Sequence, residues 1–461
     1  MKLAILGAGP GGYVAAIRAA QSGAQVTVVE ETEVGGTCLN KGCIPTKCLI
    51  ASTELLSRIK TCSDFGLDLR GECVPNLLNI VGRKNRVVTS LVKGVRSLFK
   101  SHGIALKEGR GMLRSSNELS VTGRNGAVEN LPADNIIIAT GSRPAEIPFL
   151  PFDGESIISS DHAIDLAVIP KSILIIGAGA VGCEFACIFR ELGSEVALVE
   201  LLPRVLPAED IEISDLLARE LKKKKISLHT GISVQNVEKR EDGMHVILSD
   251  GKEILTEKIL VSAGRSLNSS GLGLEEIGVQ KGLRGEIVVN SRMQTSIPGV
   301  YAVGDVTGEW MLAHVAASQG IVAVRNIMGD NGKMDYSAIP AATFTSPEIA
   351  SVGLREQEAE GKGIKVQTGH FPFRALGKAQ TAGEFSGLIK IVAESASDKL
   401  LGVHIIGPRA SDLIHEASLA IKKGLRAKDI ADTVHAHPTF SEGIKEAAED
   451  LSGRAIHIIR K

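Results

Sequence analysis

One local pattern occurs twice in the chain, and this repeat constrains the fold more than any other feature. The apolar run Lys2 to Leu6 meets Gly7-Ala8-Gly9-Pro10-Gly11-Gly12, then a helical stretch from about Tyr13 to Ser22. A turn at Gly23 leads into the run Gln25 to Val29, which ends at Glu30. The run Ser172 to Ile176 likewise meets Gly177-Ala178-Gly179-Ala180-Val181-Gly182, a helix to about Leu192, a turn at Gly193, the run Glu195 to Val199, and Glu200. In both copies the acid stands 23 residues after the first glycine. Strand, glycine turn, helix and strand at this length make a βαβ unit of a doubly wound parallel sheet. Two copies imply an α/β protein with two Rossmann-like dinucleotide-binding domains.

Each glycine in such a turn has its own task. The first makes the tight turn, the second lets backbone approach a pyrophosphate, and the third lets helix and strand pack closely. The helix N-terminus then faces the phosphates. A lone G-x-G-x-x-G is weak evidence, but here each copy has the strand before it, the helix after it and the acid at the expected distance.

The rest of the chain is punctuated. Asp134 to Ala139 is a strand feeding Thr140-Gly141-Ser142-Arg143-Pro144, and Lys258 to Ala263 feeds Gly264-Arg265 in the same way. Gly299 to Val303 ends in Gly304-Asp305, another strand end that carries an acid. Beyond about Ser337 short strands (Gly387 to Val392, Gly402 to Ile406) precede helices with no nucleotide fingerprint. These breaks divide the chain into residues 1–145, a first nucleotide domain; 146–265, a second; 266–337, a central segment completing the first; and 338–461, a C-terminal α+β domain.

Composition narrows the function. The 461 residues are 44% hydrophobic and 23% charged, as in globular proteins. Lys plus Arg is 52 against 53 for Asp plus Glu, so no basic excess draws nucleic acid or an anionic membrane. Aromatics are only 3%, which disfavours stacking platforms for single-stranded nucleic acid. No apolar run reaches the roughly 20 residues that span a bilayer. The opening Met1-Lys2-Leu3-Ala4-Ile5-Leu6 reads as a strand rather than a secretion signal, so the expected setting is cytoplasmic.

All seven cysteines lie before residue 190, and in a large cytosolic chain they are not a structural framework. Cys38 and Cys43 follow the first βαβ unit within Gly35-Gly36-Thr37-Cys38-Leu39-Asn40-Lys41-Gly42-Cys43-Ile44-Pro45-Thr46-Lys47. On a regular helix residues five apart have Cα atoms about 8.7 Å from each other, beyond the ~7 Å a disulfide tolerates. A bonded pair therefore needs a bend, which Gly42 permits. Bonded, the pair is a reducible device beside a bound cofactor; unbonded, it is two apolar core residues. Zinc is disfavoured, because no second Cys or His pair sits nearby. Cys183 and Cys187 share a helix face and read as packing.

Taken with Ala139-Thr140-Gly141, Val303-Gly304-Asp305, Met311-Leu312-Ala313-His314 and His435-Ala436-His437-Pro438-Thr439-x-Ser441-Glu442, these motifs resemble the pyridine nucleotide–disulfide oxidoreductase family from end to end. The resemblance implies FAD on the first fingerprint, with Gly7, Gly9, Gly12 and Glu30 at its adenosine half. Asp305 would meet its ribityl or pyrophosphate region, and Gly111, Thr140, Gly141, Ser142, Met311, Leu312, Ala313 and His314 would line the flavin. Gly177, Gly179, Gly182, Glu200, Val237 and Gly264 would hold a nicotinamide nucleotide. Glu200 favours the 2′-hydroxyl of NAD and repels the 2′-phosphate of NADP.

The resemblance also assigns chemistry. Cys43 would be the thiol facing the flavin and Cys38 the one that exchanges with substrate. Lys47 and Glu184 would form an ion pair beside the flavin. His437 would be the base and Glu442 its orienting acid, reaching the cysteines from the second subunit of a homodimer. The likeness is strongest to members that oxidise protein-bound dihydrolipoamide to lipoamide and reduce NAD. That implies lipoyl-bearing partners from a 2-oxo acid dehydrogenase or glycine cleavage complex, and neither nucleic acid nor membrane. Two other readings stand beside it: a reductase of another disulfide or of a metal ion, and a docking subunit that does not turn over.

Overall fold

The computed structural model describes residues 1–459. The first glycine repeat lies at the centre of a seven-stranded sheet. Its strands run in the order Val300–Ala302, Asn135–Ile138, Lys2–Leu6, Gln25–Glu30, Ala105–Ser115, Glu118–Gly123 and Val128–Pro132. The first four pairings are parallel and the last two antiparallel. Leu6 pairs with Val29 on one side and Ile138 on the other, so three strands end level. Along the central strands alternate residues face opposite ways, as the pleat demands. Ile5, Val28 and Ile137 pack among the alanines of helix Pro10–Gln21, while Leu6, Val29 and Ile138 pack beneath the antiparallel extension. The strand from the central segment, Val300–Ala302, completes the edge of this sheet.

The second repeat builds a five-stranded parallel sheet in the order Ser227–Thr230, Glu195–Glu200, Ser172–Ile176, Lys258–Val261, Ile157–Ile158. A three-stranded antiparallel sheet, Val234–Arg240, Gly243–Leu248 and Glu253–Thr256, covers one face. Where the chain leaves each nucleotide unit the exits pair with each other: Ser142–Pro144 runs antiparallel to Arg265–Leu267. Observed bounds differ from the sequence reading by a few residues. The first helix starts at Pro10, whose fixed φ suits a first helical position.

The C-terminal part is an antiparallel sheet, Ala341–Thr343, Ile349–Gly353, Leu400–Ile406, Leu388–Glu394 and Val366–Pro372 in that order. Helices Ala410–Lys422 and Glu442–Asp450 pack on it. Ile349 and Ile406 join one apolar cluster with Leu49 and Ile50 of the first unit and Phe185 and Phe189 of the second. All three units thus meet behind the segment that carries the cysteine pair. Among the described residues no helix is long and apolar enough to cross a membrane.

Candidate active site

The two glycine turns are copies in three dimensions. Gly7 and Gly177 sit at φ +104° and +101°, a region open to glycine at little cost. A Cβ on Gly12 would lie 1.9 Å from the Gly7 carbonyl oxygen, and one on Gly182 1.9 Å from that of Gly177. The chain's own backbone therefore forbids a side chain at the first and third glycines. The second glycine differs. A Cβ on Gly179 would meet nothing within 4 Å, and one on Gly9 only the Gly36 Cα at 3.9 Å. The space beside it is open, at a helix start that no side chain caps. That is the cradle a pyrophosphate needs. Glu30 accepts from the Ala8 N–H at 2.7 Å and the Thr32 N–H at 2.9 Å. Glu200 accepts from Ala178 at 2.7 Å and Leu202 at 2.8 Å. Each carboxylate is fixed at the strand end where a ribose hydroxyl would reach it.

The cysteine segment bends as the disulfide argument requires. Helix Gly36–Asn40 stops, Lys41 and Gly42 leave helical geometry, and helix Cys43–Lys60 begins at the second cysteine. Cys38 and Cys43 are free thiols in hydrogen-bond contact, and their ionisation is split. The hydrogen bond from Cys38, helped by the Lys47 ammonium, lowers the Cys43 thiol to about 7 against the pull of burial. The same contact, with burial, pushes Cys38 up. Of the two, Cys43 is the thiol that ionises first. Lys47, one turn on, donates to both oxygens of Glu184 at 2.9 Å; Glu184 comes from helix Ala180–Leu192 of the second unit and is buried. Lys41 points away, 58% exposed and 3.4 Å from Asp161. Cys48, Cys183 and Cys187 pack in or against the apolar interior, and burial raises the last two thiols, Cys187 to about 11.

The strand ends of the first sheet converge from the other side. Ser142 Oγ lies 2.5 Å from Asp305 Oδ2, and Arg265 Nε donates to Ser142 Oγ at 2.6 Å. Thr140 Oγ1 donates to the Asn268 carbonyl at 2.7 Å, beside Gly141, where a Cβ would meet nothing within 4 Å. Gly111 leaves room for Leu6 and Val29, whose side chains a Cβ there would strike. Met311 and Leu312 lead into helix Ala313–Ile327, and His314 Nε2 contacts the Pro340 carbonyl at 2.8 Å. Val237 packs against the cluster holding Ile176 and Val199, behind the second glycine turn. Gly264, at φ +127°, has open space beside its Cα.

His437 and Glu442 form a separate group on the C-terminal unit. His437 Nδ1 is 2.9 Å from Glu442 Oε1, and Glu442 Oε2 accepts the Thr439 N–H at 2.8 Å. Among the described residues no hydrogen bond or ion pair joins His437 to either cysteine within one chain.

Residues 1–320 match the family described as pyridine nucleotide-disulphide oxidoreductase, and residues 339–448 match its dimerisation domain. The chain belongs to this family. It is 44% identical to a dihydrolipoyl dehydrogenase of Thermus scotoductus, over 100% of this chain and 99% of that one. It is 43% identical to a dihydrolipoyl dehydrogenase of Chlamydia muridarum, over 96% and 95%. The crystal structure of LpdA from Mycobacterium tuberculosis superposes with a TM-score of 0.92 at 30% identity, covering 98% of this chain and 99% of that one.

As a pyridine nucleotide-disulphide oxidoreductase the chain is a flavoprotein enzyme that uses FAD and NAD(H), and it carries a dimerisation domain. The two open cradles fit two dinucleotides. Sequence reasoning passed over Arg265 and Phe344. Arg265 follows Gly264 at a domain exit, so its position was the signal; Phe344 gave none, lying 160 residues from the glutamate it touches.

Proposed function

We propose that the chain oxidises the dihydrolipoyl group of a lipoyl-bearing protein to the cyclic disulfide while reducing NAD, in the cytoplasm and as a homodimer. The observation that carries this reading is the bent Cys38–Cys43 pair set against the Lys47–Glu184 pair. Full-length likeness to enzymes named dihydrolipoyl dehydrogenase supports the substrate.

The residues divide the work. Gly7, Gly9, Gly12, Glu30, Gly111, Thr140, Gly141, Ser142, Asp305 and Met311 to His314 hold FAD. Gly177, Gly179, Gly182, Glu200, Val237 and Gly264 hold NAD, and the fixed charge of Glu200 repels a 2′-phosphate. FAD, when bound, supplies the two-electron relay between thiols and nicotinamide. His437, oriented by Glu442 and lent by the second subunit, takes a proton from a substrate thiol. The thiolate attacks the Cys38 sulfur of the Cys38–Cys43 disulfide, and Cys43 leaves as a thiolate. Its lowered pKa makes it the better leaving group. The second substrate thiol then attacks the mixed disulfide. The cyclic disulfide departs, and Cys38 leaves as a thiol carrying the proton of the second substrate thiol.

The test is anaerobic turnover of the FAD-loaded protein with dihydrolipoamide and NAD, beside parallel reactions with NADP and with reduced glutathione. NADH formation with dihydrolipoamide and NAD alone is expected. Turnover with glutathione instead, or with NADP in preference, would overturn the assignment.

A further inference from the structure

Phe344 follows strand Ala341–Thr343 of the C-terminal unit, yet it grips an ion pair made by the other two. Its backbone N–H donates to Glu184 Oε1 at 2.9 Å. Its ring sits under the partner, with Lys47 Nζ 4.4 Å from the ring centroid. A lysine ammonium ends a flexible four-carbon stem, and the Lys47 side chain is 32% exposed. Glu184 alone fixes it in one direction. The aromatic face adds a second attraction that an aliphatic side chain of like size lacks.

We propose that Phe344 is a positioning residue: by holding Lys47 with its ring and Glu184 with its N–H, it sets the pH at which Cys43 ionises. This rests on the reading above, in which Cys43 is the redox thiol and Lys47 its cationic neighbour. The groups that act on Cys43 are Cys38, Lys47 and Glu184; the lysine charge favours the thiolate and the glutamate charge opposes it. Phe344 improves both. The ring keeps the cation close, and the N–H draws on the carboxylate.

The experiment uses FAD-loaded protein carrying Cys38→Ser, so that Cys43 is the one thiol of the pair. The rate of Cys43 alkylation by iodoacetamide is followed against pH by mass spectrometry of its peptide. Phe344→Leu on this background is expected to raise the midpoint by about half a pH unit, roughly a threefold slower alkylation at pH values well below the midpoint. Phe344→Met should do the same, and Phe344→Tyr, which keeps the ring, should restore the parent midpoint. Lys47→Met should raise it further. A midpoint unmoved by both Leu and Met but moved by Lys47→Met overturns the role of Phe344 alone. A midpoint unmoved by Lys47→Met as well overturns the reading on which it rests.

Discussion

His437 Nδ1 lies 2.9 Å from a carboxylate oxygen of Glu442, whose other oxygen is tied to the Thr439 N–H, so the group that orients the imidazole is itself held. The imidazole side chain is 75% exposed. On the proposed reading it is a base presented to the second subunit. His437→Gln is expected to lower dihydrolipoamide oxidation by about 10²–10⁴-fold. NADH-driven reduction of a one-electron dye should survive, because it needs no thiol deprotonation. Burial raises the Glu442 carboxyl, but the Thr439 N–H and His437 outweigh it and hold it below its usual range. Its charge therefore persists above about pH 5, and Glu442 protonation should not limit turnover there. Steady-state rates across pH for the parent and Glu442→Gln check this.

If His437 serves the partner's cysteines, two inactive variants should complement each other. Cys38→Ser keeps the base and loses the exchange thiol; His437→Gln does the reverse. In a mixed dimer one site carries both lesions and the other none. Refolding the two together at equal concentration should recover about a quarter of parental activity, since about half the dimers are mixed and each has one complete site. Zero recovery, with mixed dimers present by native mass spectrometry, would place the base and the cysteines in one chain.

What the sequence disclosed was local. The repeats were legible because each glycine answers to a contact within a few residues or to a strand end at fixed spacing, as with Gly12 and the Gly7 carbonyl. The break between Cys38 and Cys43 was legible because disulfide geometry and helix geometry conflict. The ties between units left no such trace. Lys390 and Asp210, 180 residues apart, and Glu184 and Phe344, 160 apart, are brought together by packing of whole domains. Nothing in the periodicity near Lys390 distinguishes it from a solvated lysine, yet it is buried in a strand.

The duplicated turns allow the two nucleotide sites to be disabled one at a time. Gly182→Ala would put a Cβ 1.9 Å from the Gly177 oxygen and drive helix Ala180–Leu192 off its strand. The protein should remain yellow but lose reduction of NAD by at least about 100-fold, a cost of a few kcal/mol. Gly12→Ala makes the same clash with Gly7 in the first unit and should yield protein that purifies without its flavin absorbance. Absorbance of the purified variants and titration with NADH distinguish the two. Loss of flavin from Gly182→Ala would contradict the assignment of the sites.

A cluster of charges around Lys390 holds the seam between the second and C-terminal units. The Lys390 ammonium lies 3.0 Å from Asp210, 2.8 Å from Glu212 and 2.5 Å from Glu356, with the side chains of Lys390 and Asp210 only 2% and 0% exposed. Lys390→Met removes the cation and strands Asp210, a loss of about 3–5 kcal/mol in urea unfolding. Glu212 adds a pH signature. The hydrogen bond from His370, then that from Lys390, lowers its carboxyl to about 2 despite partial burial. A folded pKa below the unfolded value stabilises fully above about pH 4.5 and is lost as pH falls toward 2. The difference in urea midpoint between the parent and Glu212→Gln should therefore shrink as pH falls below about 4.5. A difference that persists undiminished at pH 3 would mean that Glu212 acts through packing rather than through its charge.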